Sequence, residues 1–451
     1  MIFRRKLYQE LLNWKDKHER KPLIIRGARQ VGKSTLVKDF SKEFIHYITL
    51  NLEETQNRKI FEELDNIKDI VNAILIKAGI PLDDQPTLLF LDEIQESPNA
   101  IKQLRYFYEY YPQLHLIAAG SLLEFSLKKV ASFPVGRVEQ LVLHPLDFEE
   151  FLDAINSKNI LDELNKIPVN KYAHISLIEI FHQYAIIGGM PEVIKRYVND
   201  EQHLTNLGEI YYNIWQSYRD DIEKYASNST ERKIIRHIID TAPAEKERIS
   251  LAGFGNSSYR SREVGEAIRA LDLARIIQLI YPTTSIEPPI SPDFKRKPRL
   301  QFLDTGLLNY SLNLQTEMIG IKDLNNIYRG RIMQHLVGEQ LQAKSKSLLF
   351  KPAFWVREKA NSNAEVDFVV QHGKYIVPIE VKSGSQGRLR SLHQFVEKSK
   401  HPYAVRLLSN HFSIENVKTP GGTPYLLMNL PYYLSNRVSE YIEWFISNYR
   451  I

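Results

Sequence analysis

The stretch at residues 27–35, GARQVGKST, constrains the fold of this chain more than any other feature. An apolar run at 22–25 precedes it, and a segment with helical periodicity at 36–44 follows it. A strand, a glycine loop and a helix in this order form the setting in which the pattern GxxxxGK[ST] binds nucleotide phosphates. We therefore predict an α/β domain that begins with a site for ATP or GTP.

Each position of this loop has a chemical reason. Gly27 and Gly32 permit backbone conformations in which a ring of N–H groups closes around phosphate oxygens. Lys33 supplies a mobile positive charge for the β- and γ-phosphates, and the Ser34 hydroxyl can ligate Mg²⁺. The alternative is a glycine loop that only turns the chain. The predicted nucleotide-binding residues are Gly27, Ala28, Arg29, Gln30, Val31, Gly32, Lys33, Ser34 and Thr35.

A second motif, LLFLDE, ends in two carboxylates at Asp92 and Glu93. Its four apolar residues predict a strand that is buried on both faces, as in a parallel sheet. Ligands bind at the carboxyl ends of such strands. We predict that Asp92 holds Mg²⁺ through water and that Glu93 is the catalytic base for an attacking water. The alternative is a pair of solvated charges, but Lys33 upstream favours hydrolysis.

Two further residues are predicted to act in catalysis. Ser121 follows the strand-like run at 114–119, where it can contact the γ-phosphate or the attacking water beside Asp92 and Glu93. The alternative for Ser121 is a small turn residue. Arg137 lies in a loop before the last predicted strand. It is predicted to offset charge on the transferring phosphoryl group, in cis or from a neighbouring subunit, and the alternative is a surface arginine.

Composition narrows the class of protein. The chain has 451 residues, a net charge of +5 and no cysteine, which excludes disulfides and thiolate catalysis and suits a reducing cytoplasm. The charged N-terminus lacks the apolar centre of a signal peptide, and no apolar run reaches the ~18–20 residues of a membrane helix. We therefore expect a soluble cytoplasmic protein. The mild positive charge permits nucleic-acid binding without arguing for it.

The first 150 residues alternate between apolar runs and segments with helical periodicity. Such alternation predicts a parallel sheet with helices on both faces. Helical segments at 148–164 and 177–197 then predict a small lid over 151–209. The predicted strands are 23–26, 46–52, 88–92, 115–119 and 139–143, and the predicted helices are 36–44, 60–78, 100–110 and 122–129.

The segment from 210 to 315 has the pattern of a winged helix. Three predicted helices precede a predicted strand pair at 275–281 and 299–303. Basic residues on the third helix and on this wing fit a helix in a DNA groove with a wing on phosphate. The alternatives are a solvated face or a contact with protein. The basic residues are Arg260, Arg262, Arg269, Lys295, Arg296, Lys297 and Arg299.

A third constellation lies in the last part of the chain, in the hairpin predicted at 364–370 and 375–381. Glu380 and Lys382 share a face of a strand because side chains alternate with a period of two. The hairpin can bring Asp367 to the same end, which gives two carboxylates for Mg²⁺ and a lysine to stabilise a pentavalent phosphate. This arrangement predicts metal-dependent phosphodiester cleavage. The alternative is polar residues on the wet face of a strand.

Over nearly its full length the chain resembles prokaryotic AAA-type ATPases whose C-terminal half is a domain of unknown function related to PD-(D/E)XK nucleases. The resemblance implies an ATPase core at 1–150, a winged-helix segment at 210–315 and an α/β restriction-endonuclease-like domain at 316–451. It implies ATP and Mg²⁺ as cofactors, and Asp367, Glu380 and Lys382 at a vestigial or active nuclease centre. The motifs that carry it are GARQVGKST, LLFLDEIQ, AAGSLLEF, PVGRVEQLVLHPLDFEEFL, IIGGMPE, FLDTGL, AEVDFVV and IEVKSG.

One departure from this pattern concerns the nuclease-like centre. Such nucleases carry a glutamate four residues after a glycine on their first helix, whereas Gly330 is followed at that spacing by Gln334. Glu339 is five residues further on, about 140° around a helix, so it cannot substitute for that glutamate. We therefore expect weak Mg²⁺ binding and slow or absent cleavage of DNA. The substitution Gln334→Glu should raise the rate of metal-dependent cleavage.

These features predict an ATP-hydrolysing enzyme that acts on DNA or is regulated by it. One alternative is an ATP-gated metal-dependent DNA nuclease, and another is a regulatory scaffold that nucleotide occupancy switches without turnover. The predicted partners are the nucleotide, duplex DNA through the winged helix, and a second copy of the chain or another protein, with no membrane contact.

Overall fold

The computed structural model describes residues 2–81, 85–121, 123, 133–200, 203–204, 207–226, 228–245, 247–315, 331–347, 350–357, 364–382 and 389–450. Most of the predicted helix at 122–129, and Gly330, lie outside these residues. The chain forms two compact units, of which unit 1 comprises Met1–Pro145 with the short segments Leu273–Ile276 and Lys346–Leu348. Unit 2 comprises the remainder, so apart from those two short segments the predicted lid, winged-helix and nuclease-like segments lie in one unit.

Unit 1 contains a five-stranded sheet in the order β2-β3-β4-β1-β5, and every pair of neighbouring strands is parallel. The predicted parallel sheet is therefore confirmed. Because β4 lies between β1 and β3, the carboxyl ends of these three strands meet at one edge. The elements are α1 Leu7–Lys15, β1 Leu23–Arg26, α2 Lys33–Phe40, β2 His46–Asn51, α3 Thr55–Glu63, α4 Ile67–Ala78, β3 Thr87–Asp92, α5 Pro98–Tyr110, β4 His115–Gly120 and β5 Glu139–Val142.

The core of unit 1 explains why the central strands read as continuous apolar runs. All four residues of β1 are buried, as are the first five of β3, because helices cover both faces of a parallel sheet. Each fully buried aliphatic side chain contributes about 1.5–3 kcal/mol. The single helix predicted at 60–78 is two helices, since the Asn66 side chain accepts a hydrogen bond from Lys68 N and caps α4.

His115, at the start of β4, gives unit 1 a pH-dependent stability. Its ring packs between Trp14 at 5.9 Å and Phe44 at 4.8 Å between ring centroids. Burial, with the nearby charge of Arg20, lowers the pKa of His115 from 6.5 to about 4. The unfolded chain therefore takes up a proton that the folded ring resists, and stability falls as the pH drops from about 6.5 to about 4.

His115→Phe should remove part of this pH dependence. We expect the loss of unfolding free energy between pH 7 and pH 4 to shrink by up to about 2 kcal/mol, less than the full shift implies because solvent screens a partly exposed ring. Urea unfolding at pH 7 and at pH 4 measures the two free energies of unfolding. Exposed His18→Phe is the control. An equal acid dependence in His115→Phe and the parent chain would contradict the assignment.

Unit 2 combines helices with a seven-stranded mixed sheet in the order β13-β14-β12-β11-β10-β9-β7 and a separate antiparallel pair, β6-β8. The helices are α6 Phe148–Ala154, α7 Lys158–Leu164, α8 His174–Ile187, α9 Pro191–Asn199, α10 Gly208–Tyr225, α11 Ser229–Thr241, α12 Ser261–Leu273, α13 Thr305–Ser311, α14 Arg331–Ala343, α15 Arg390–Val396 and α16 Val438–Asn448. The strands are β6 Ile277–Ile280, β7 Pro282–Thr283, β8 Arg299–Phe302, β9 Ala353–Val356, β10 Glu365–His372, β11 Tyr375–Val381, β12 Tyr403–Leu408, β13 Ser413–Lys418 and β14 Pro424–Pro431.

Both strand pairs predicted for this unit are present. β6 pairs with β8 from Ile277 opposite Phe302 to Ile280 opposite Arg299, and β10 pairs antiparallel with β11. β11 in turn runs parallel to β12. None of the helices in the described part of the chain is long and apolar enough to span a membrane.

Asp304 joins two motifs that are distant in sequence, IIGGMPE and FLDTGL. Its carboxylate accepts hydrogen bonds from Gly189 N at 2.5 Å and from Leu307 N at 2.9 Å, so it both caps α13 and holds the turn after α8. Burial raises the pKa of Asp304 to about 6. A Cβ on Gly306 would lie 2.1 Å from Ile187 O, so this close approach requires glycine.

Candidate functional site

The phosphate loop of unit 1 follows β1 and ends at the first residue of α2. Gly27 has φ 152° and Gly32 has φ 98°, conformations that glycine adopts at little cost. A Cβ on Gly27 would lie 2.3 Å from Leu143 O. The loop is therefore held against the end of β5, where Leu143 N donates to Arg26 O at 2.8 Å.

Lys33 lies inside this loop. Its side chain is buried, and Nζ donates to Gly27 O at 3.1 Å and to Ala28 O at 2.9 Å. An ammonium group held by two carbonyls of a loop that presents backbone N–H groups fits a phosphate ligand, because phosphate oxygens can replace those carbonyls as acceptors. The loop residues therefore fit the predicted nucleotide.

Ser34 and Asp92 are in direct contact, although 58 positions separate them along the chain. Ser34 Oγ donates to Asp92 Oδ2 at 2.6 Å. Burial raises the pKa of Asp92, and the hydrogen bond from Ser34 opposes that rise. A hydroxyl and a carboxylate side by side are the oxygen donors that Mg²⁺ takes beside a phosphate. The two predicted ligands thus fit Mg²⁺.

Glu93 is held by neighbours on two strands. Its backbone has φ 50°, and its Oε2 accepts from Gln95 Nε2 at 2.5 Å and from Ser121 Oγ at 3.4 Å. Ser121 reaches Glu93 because β4, which it follows, lies beside β3. A Cβ on Gly120 would lie 2.4 Å from Gln95 Oε1, so Gly120 leaves room for the Gln95 amide.

Sequence reasoning missed Gln95 and Arg5 as site residues. Gln95 is buried, and it lies two positions after Glu93. This closeness in sequence could have marked it as a candidate site residue. Arg5 Nη1 donates to Val31 O at 3.0 Å and its Nη2 to His144 O at 2.6 Å, so it ties the phosphate loop to the chain after β5. Arg5 precedes the motif by more than twenty positions, and no local pattern marks it.

The prediction that Arg137 acts in cis is wrong. β5 runs parallel to β1 with Glu139 opposite Leu23, so Arg137 precedes the amino end of its strand. The phosphate loop follows the carboxyl end of β1, at the opposite edge of the sheet. Arg137 Nε instead forms a surface ion pair with Glu109 Oε1 at 3.1 Å. A role for Arg137 across a subunit boundary stays a prediction.

Unit 2 brings together the residues predicted for the nuclease-like centre. Asp367 on β10 accepts from Val381 N at 2.8 Å and, at its other oxygen, from Gln334 Nε2 at 2.6 Å. Lys382 Nζ donates to Glu380 Oε1 at 2.6 Å. Gln334 thus contacts Asp367, whereas Glu339 accepts from Thr305 Oγ1 elsewhere.

Glu380 is the most buried acid of this group. Burial and the charge of Asp367 raise its pKa to about 7, while Lys382 opposes the rise. Its second oxygen, Oε2, is buried and has no hydrogen-bond partner among the described residues. We call Glu365, Asp367 and Glu380, with Gln334 and Lys382, the carboxylate cluster.

Arg299 belongs to this cluster and not to a DNA-binding surface. Its guanidinium is ion-paired with Glu365, lies 3.7 Å from Asp367 Oδ1, and donates to Asp367 O at 3.2 Å. Arg248 Nε pairs with the other oxygen of Glu365 at 3.0 Å. The prediction that Arg299 contacts phosphate is wrong, because its charge is buried against acids.

A divalent metal does not fit the carboxylate cluster as it stands. Both Asp367 oxygens and one Glu380 oxygen already accept hydrogen bonds, which leaves Glu380 Oε2. Within the described ranges, no group of three or more His, Cys, Asp or Glu side chains is arranged to hold a metal. Hard cations such as Mg²⁺ need several oxygen ligands.

The other predicted DNA contacts are mostly exposed. Arg260, Arg269, Lys295 and Lys297 face solvent, Arg262 pairs with Glu266 at 3.0 Å, and Arg296 pairs with Asp293 at 2.9 Å.

Three family models match successive parts of the chain. Residues 19–152 match the AAA domain, residues 178–318 a domain of unknown function (DUF8612), and residues 329–426 a second one (DUF4143). Most of the AAA-domain match falls in unit 1, whose glycine loop and parallel five-stranded sheet resemble those of P-loop ATPases. No protein with curated annotation matches the sequence.

Three solved structures show distant similarity to this chain. The Walker-type ATPase of Pyrococcus abyssi is 14% identical, with a TM-score of 0.45 over 69% of this chain and 96% of its own. The RuvB Holliday junction branch migration motor of Thermotoga maritima is 16% identical, with a TM-score of 0.27 over 61% and 89%. The ORC1 protein of Aeropyrum pernix in complex with DNA is 12% identical, with a TM-score of 0.28 over 69% and 90%.

Proposed function

We propose that this protein binds and hydrolyses ATP at the edge of the AAA sheet. The observation that carries the proposal is the convergence of three strand ends. Lys33 and Ser34 begin α2 after β1, Asp92 and Glu93 lie at the end of β3, and Ser121 follows β4. A cation, two oxygen ligands and a positioned carboxylate are the groups that phosphoryl transfer to water requires.

The loop and Lys33 would bind the phosphates. Backbone N–H groups between Gly27 and Gly32 would donate hydrogen bonds to phosphate oxygens, and Lys33 would exchange its two carbonyl partners for phosphate oxygens. Ser34 and Asp92 would hold Mg²⁺, which supplies positive charge to the β- and γ-phosphates when it is bound. Arg5 keeps the loop in place against the end of β5.

Glu93 would orient the attacking water and take up its proton. Gln95 and Ser121 both donate to Glu93 Oε2, so they keep one oxygen in place and leave Oε1 to face a water. We therefore regard Ser121 as a positioning residue for Glu93.

Multiple-turnover phosphate release from ATP and Mg²⁺ tests the proposal. Release well beyond one phosphate per protein, lost when Mg²⁺ is chelated, supports the hydrolase. Tight ATP binding with no more than one turnover would instead support the regulatory scaffold. The ATP-gated nuclease alternative is disfavoured, because each acid of the carboxylate cluster is already paired with Arg248, Arg299 or Lys382. Metal-dependent nicking of plasmid would revive it.

We further propose that unit 2 contacts duplex DNA through a winged helix formed by α10–α12 and the β6-β8 pair. Four exposed cations support this: Arg260 just before α12, Arg269 on α12, and Lys295 and Lys297 in the loop before β8. These cations are free to neutralise phosphates, whereas Arg299 is not. A restriction-endonuclease-like fold for the seven-stranded sheet and assembly with a second copy of the chain also remain proposals.

Replacing Lys295 and Lys297 with glutamine should lower the salt dependence of DNA binding. Each lost phosphate contact reduces the slope of log K against log salt by ~0.9, so we expect a reduction of about 2. Fluorescence anisotropy with a labelled duplex at several salt concentrations measures the slope. The matched control is Lys398→Gln together with Lys400→Gln. An unchanged slope in a folded Lys295/Lys297 variant would assign this loop to solvent or protein.

A further inference from the structure

The carboxylate cluster is nearly balanced in charge without any added ion. Glu365, Asp367 and Glu380 supply three acids, and three cations lie against them: Arg248, Arg299 and Lys382. Arg299 is the central cation, because it contacts two of the three acids and the backbone of β10. Paired charges of this kind are the usual condition under which acids are buried.

Arg299 is fixed in position by the strand that carries it and by the side chains around it. It is the first residue of β8, and its guanidinium lies 4.3 Å from the centre of the Phe354 ring on β9. The guanidinium is restricted to one position by three features. It lies over the aromatic ring, it forms ion pairs at its edges, and β8 is held in register against β6. At the place where Mg²⁺ would bind, the guanidinium therefore already supplies the positive charge that attracts the carboxylates.

We infer that the Arg299 guanidinium is the resident cation of the carboxylate cluster and excludes a divalent metal from Asp367 and Glu380. A metal at Asp367 Oδ1 would face a fixed positive charge only 3.7 Å from that oxygen. It would also have to displace the Gln334 amide, which donates to the same oxygen at 2.6 Å. Two separate residues, Arg299 and Gln334, therefore close this centre.

The inference has a structural consequence for β8. A metal and the docked β8 strand compete for the same carboxylates, so metal binding requires that Arg299 leave. The centre in this state binds β8 of its own chain and does not cleave phosphodiesters. This exclusion of metal is independent of ATP hydrolysis, because every residue that contributes to it lies in unit 2.

The test uses the full chain without nucleotide and Mn²⁺ as the probe. Binding is measured from the electron paramagnetic resonance of free Mn²⁺ and from the shift in Tm on Mn²⁺ addition. The variants are Arg299→Gln, Gln334→Glu, their combination, and that combination with Glu380→Gln. Arg296→Gln is the matched control, since it removes an arginine of the same loop that pairs with Asp293.

We expect the double variant to bind one Mn²⁺ roughly 10–100-fold more tightly than the parent chain, with a rise in Tm. Glu380→Gln in that background should abolish the gain, which assigns the ion to this cluster and not to Ser34 and Asp92. Gln334→Glu alone should show little gain, because Arg299 is still present. Arg296→Gln should match the parent chain.

Two results would overturn the inference. One is a parent chain that already binds Mn²⁺ as tightly as the double variant in a manner that Glu380→Gln removes. The other is a folded double variant with no gain. If Arg299→Gln does not fold, Gln334→Glu decides alone: a large Mn²⁺ gain in this variant, with Arg299 intact, contradicts exclusion by the guanidinium, and its absence supports it.

Discussion

Lys33→Ala should abolish nucleotide binding in unit 1. The variant removes the ammonium that lies inside the phosphate loop, and the loop keeps only its backbone N–H groups for a multiply charged ligand. Charge-assisted hydrogen bonds to phosphate are about twice as strong as neutral ones, so we expect ATP affinity to fall roughly 100-fold or more. Isothermal titration calorimetry with ATP and Mg²⁺ measures the loss, and phosphate release should vanish with it.

The control for Lys33→Ala is Lys38→Ala on the same helix. Lys38 is exposed, so its removal changes the net charge by the same amount without touching the loop. Circular dichroism of both variants shows whether the fold is kept. A folded Lys33→Ala protein that binds ATP like Lys38→Ala would exclude this loop as the nucleotide site.

Glu93→Gln should separate binding from turnover. The amide has the size of the carboxylate and can still accept from Gln95 and Ser121 through its oxygen, so the loop and the Ser34–Asp92 pair stay in place. It cannot take a proton from water. We expect kcat for phosphate release to fall about 10²–10⁴-fold while ATP affinity stays within a factor of about three.

Glu96→Gln is the control for this variant, because Glu96 lies three positions further on in the same turn and makes no contact with the Ser34–Asp92 pair in the described structure. Its phosphate release should equal that of the parent chain. Unchanged turnover in Glu93→Gln would reject Glu93 as the base and direct attention to Asp92. A joint loss of affinity and turnover would give Glu93 a role in binding.

Local chemistry explains why the candidate nucleotide site could be located from sequence. A phosphate loop needs glycines at set positions, a lysine and a hydroxyl in one continuous stretch, so its residues are neighbours in the chain. The buried strand before Asp92 likewise carries its own signal in a run of apolar residues. Ser121 could be placed because parallel strands end at a common edge, and its contact with Glu93 follows from β4 lying beside β3.

Residues that act through long-range contacts could not be predicted in this way. Arg5 and Gln95 lie outside the pattern that marks the loop, and their partners depend on how strands and loops meet. A role for Arg137 in cis failed for a related reason. A loop before a strand lies at the opposite edge of a parallel sheet from the loops that follow strands, and only the register of β5 on β1 reveals this.

The sequence alone determined the parallel sheet of unit 1, the glycine loop, and the acids and the glutamine of the carboxylate cluster, because periodicity and residue spacing are local properties. It placed Gln334, Asp367, Glu380 and Lys382 in one neighbourhood through alternation along β11 and the helix α14. Tertiary structure alone decided what that neighbourhood binds. In the sequence, Arg299 is one of several basic residues of the predicted wing. In the fold, β8 brings its guanidinium to Glu365 and Asp367, and the energy of a charge depends on what surrounds it and not on its position in the chain.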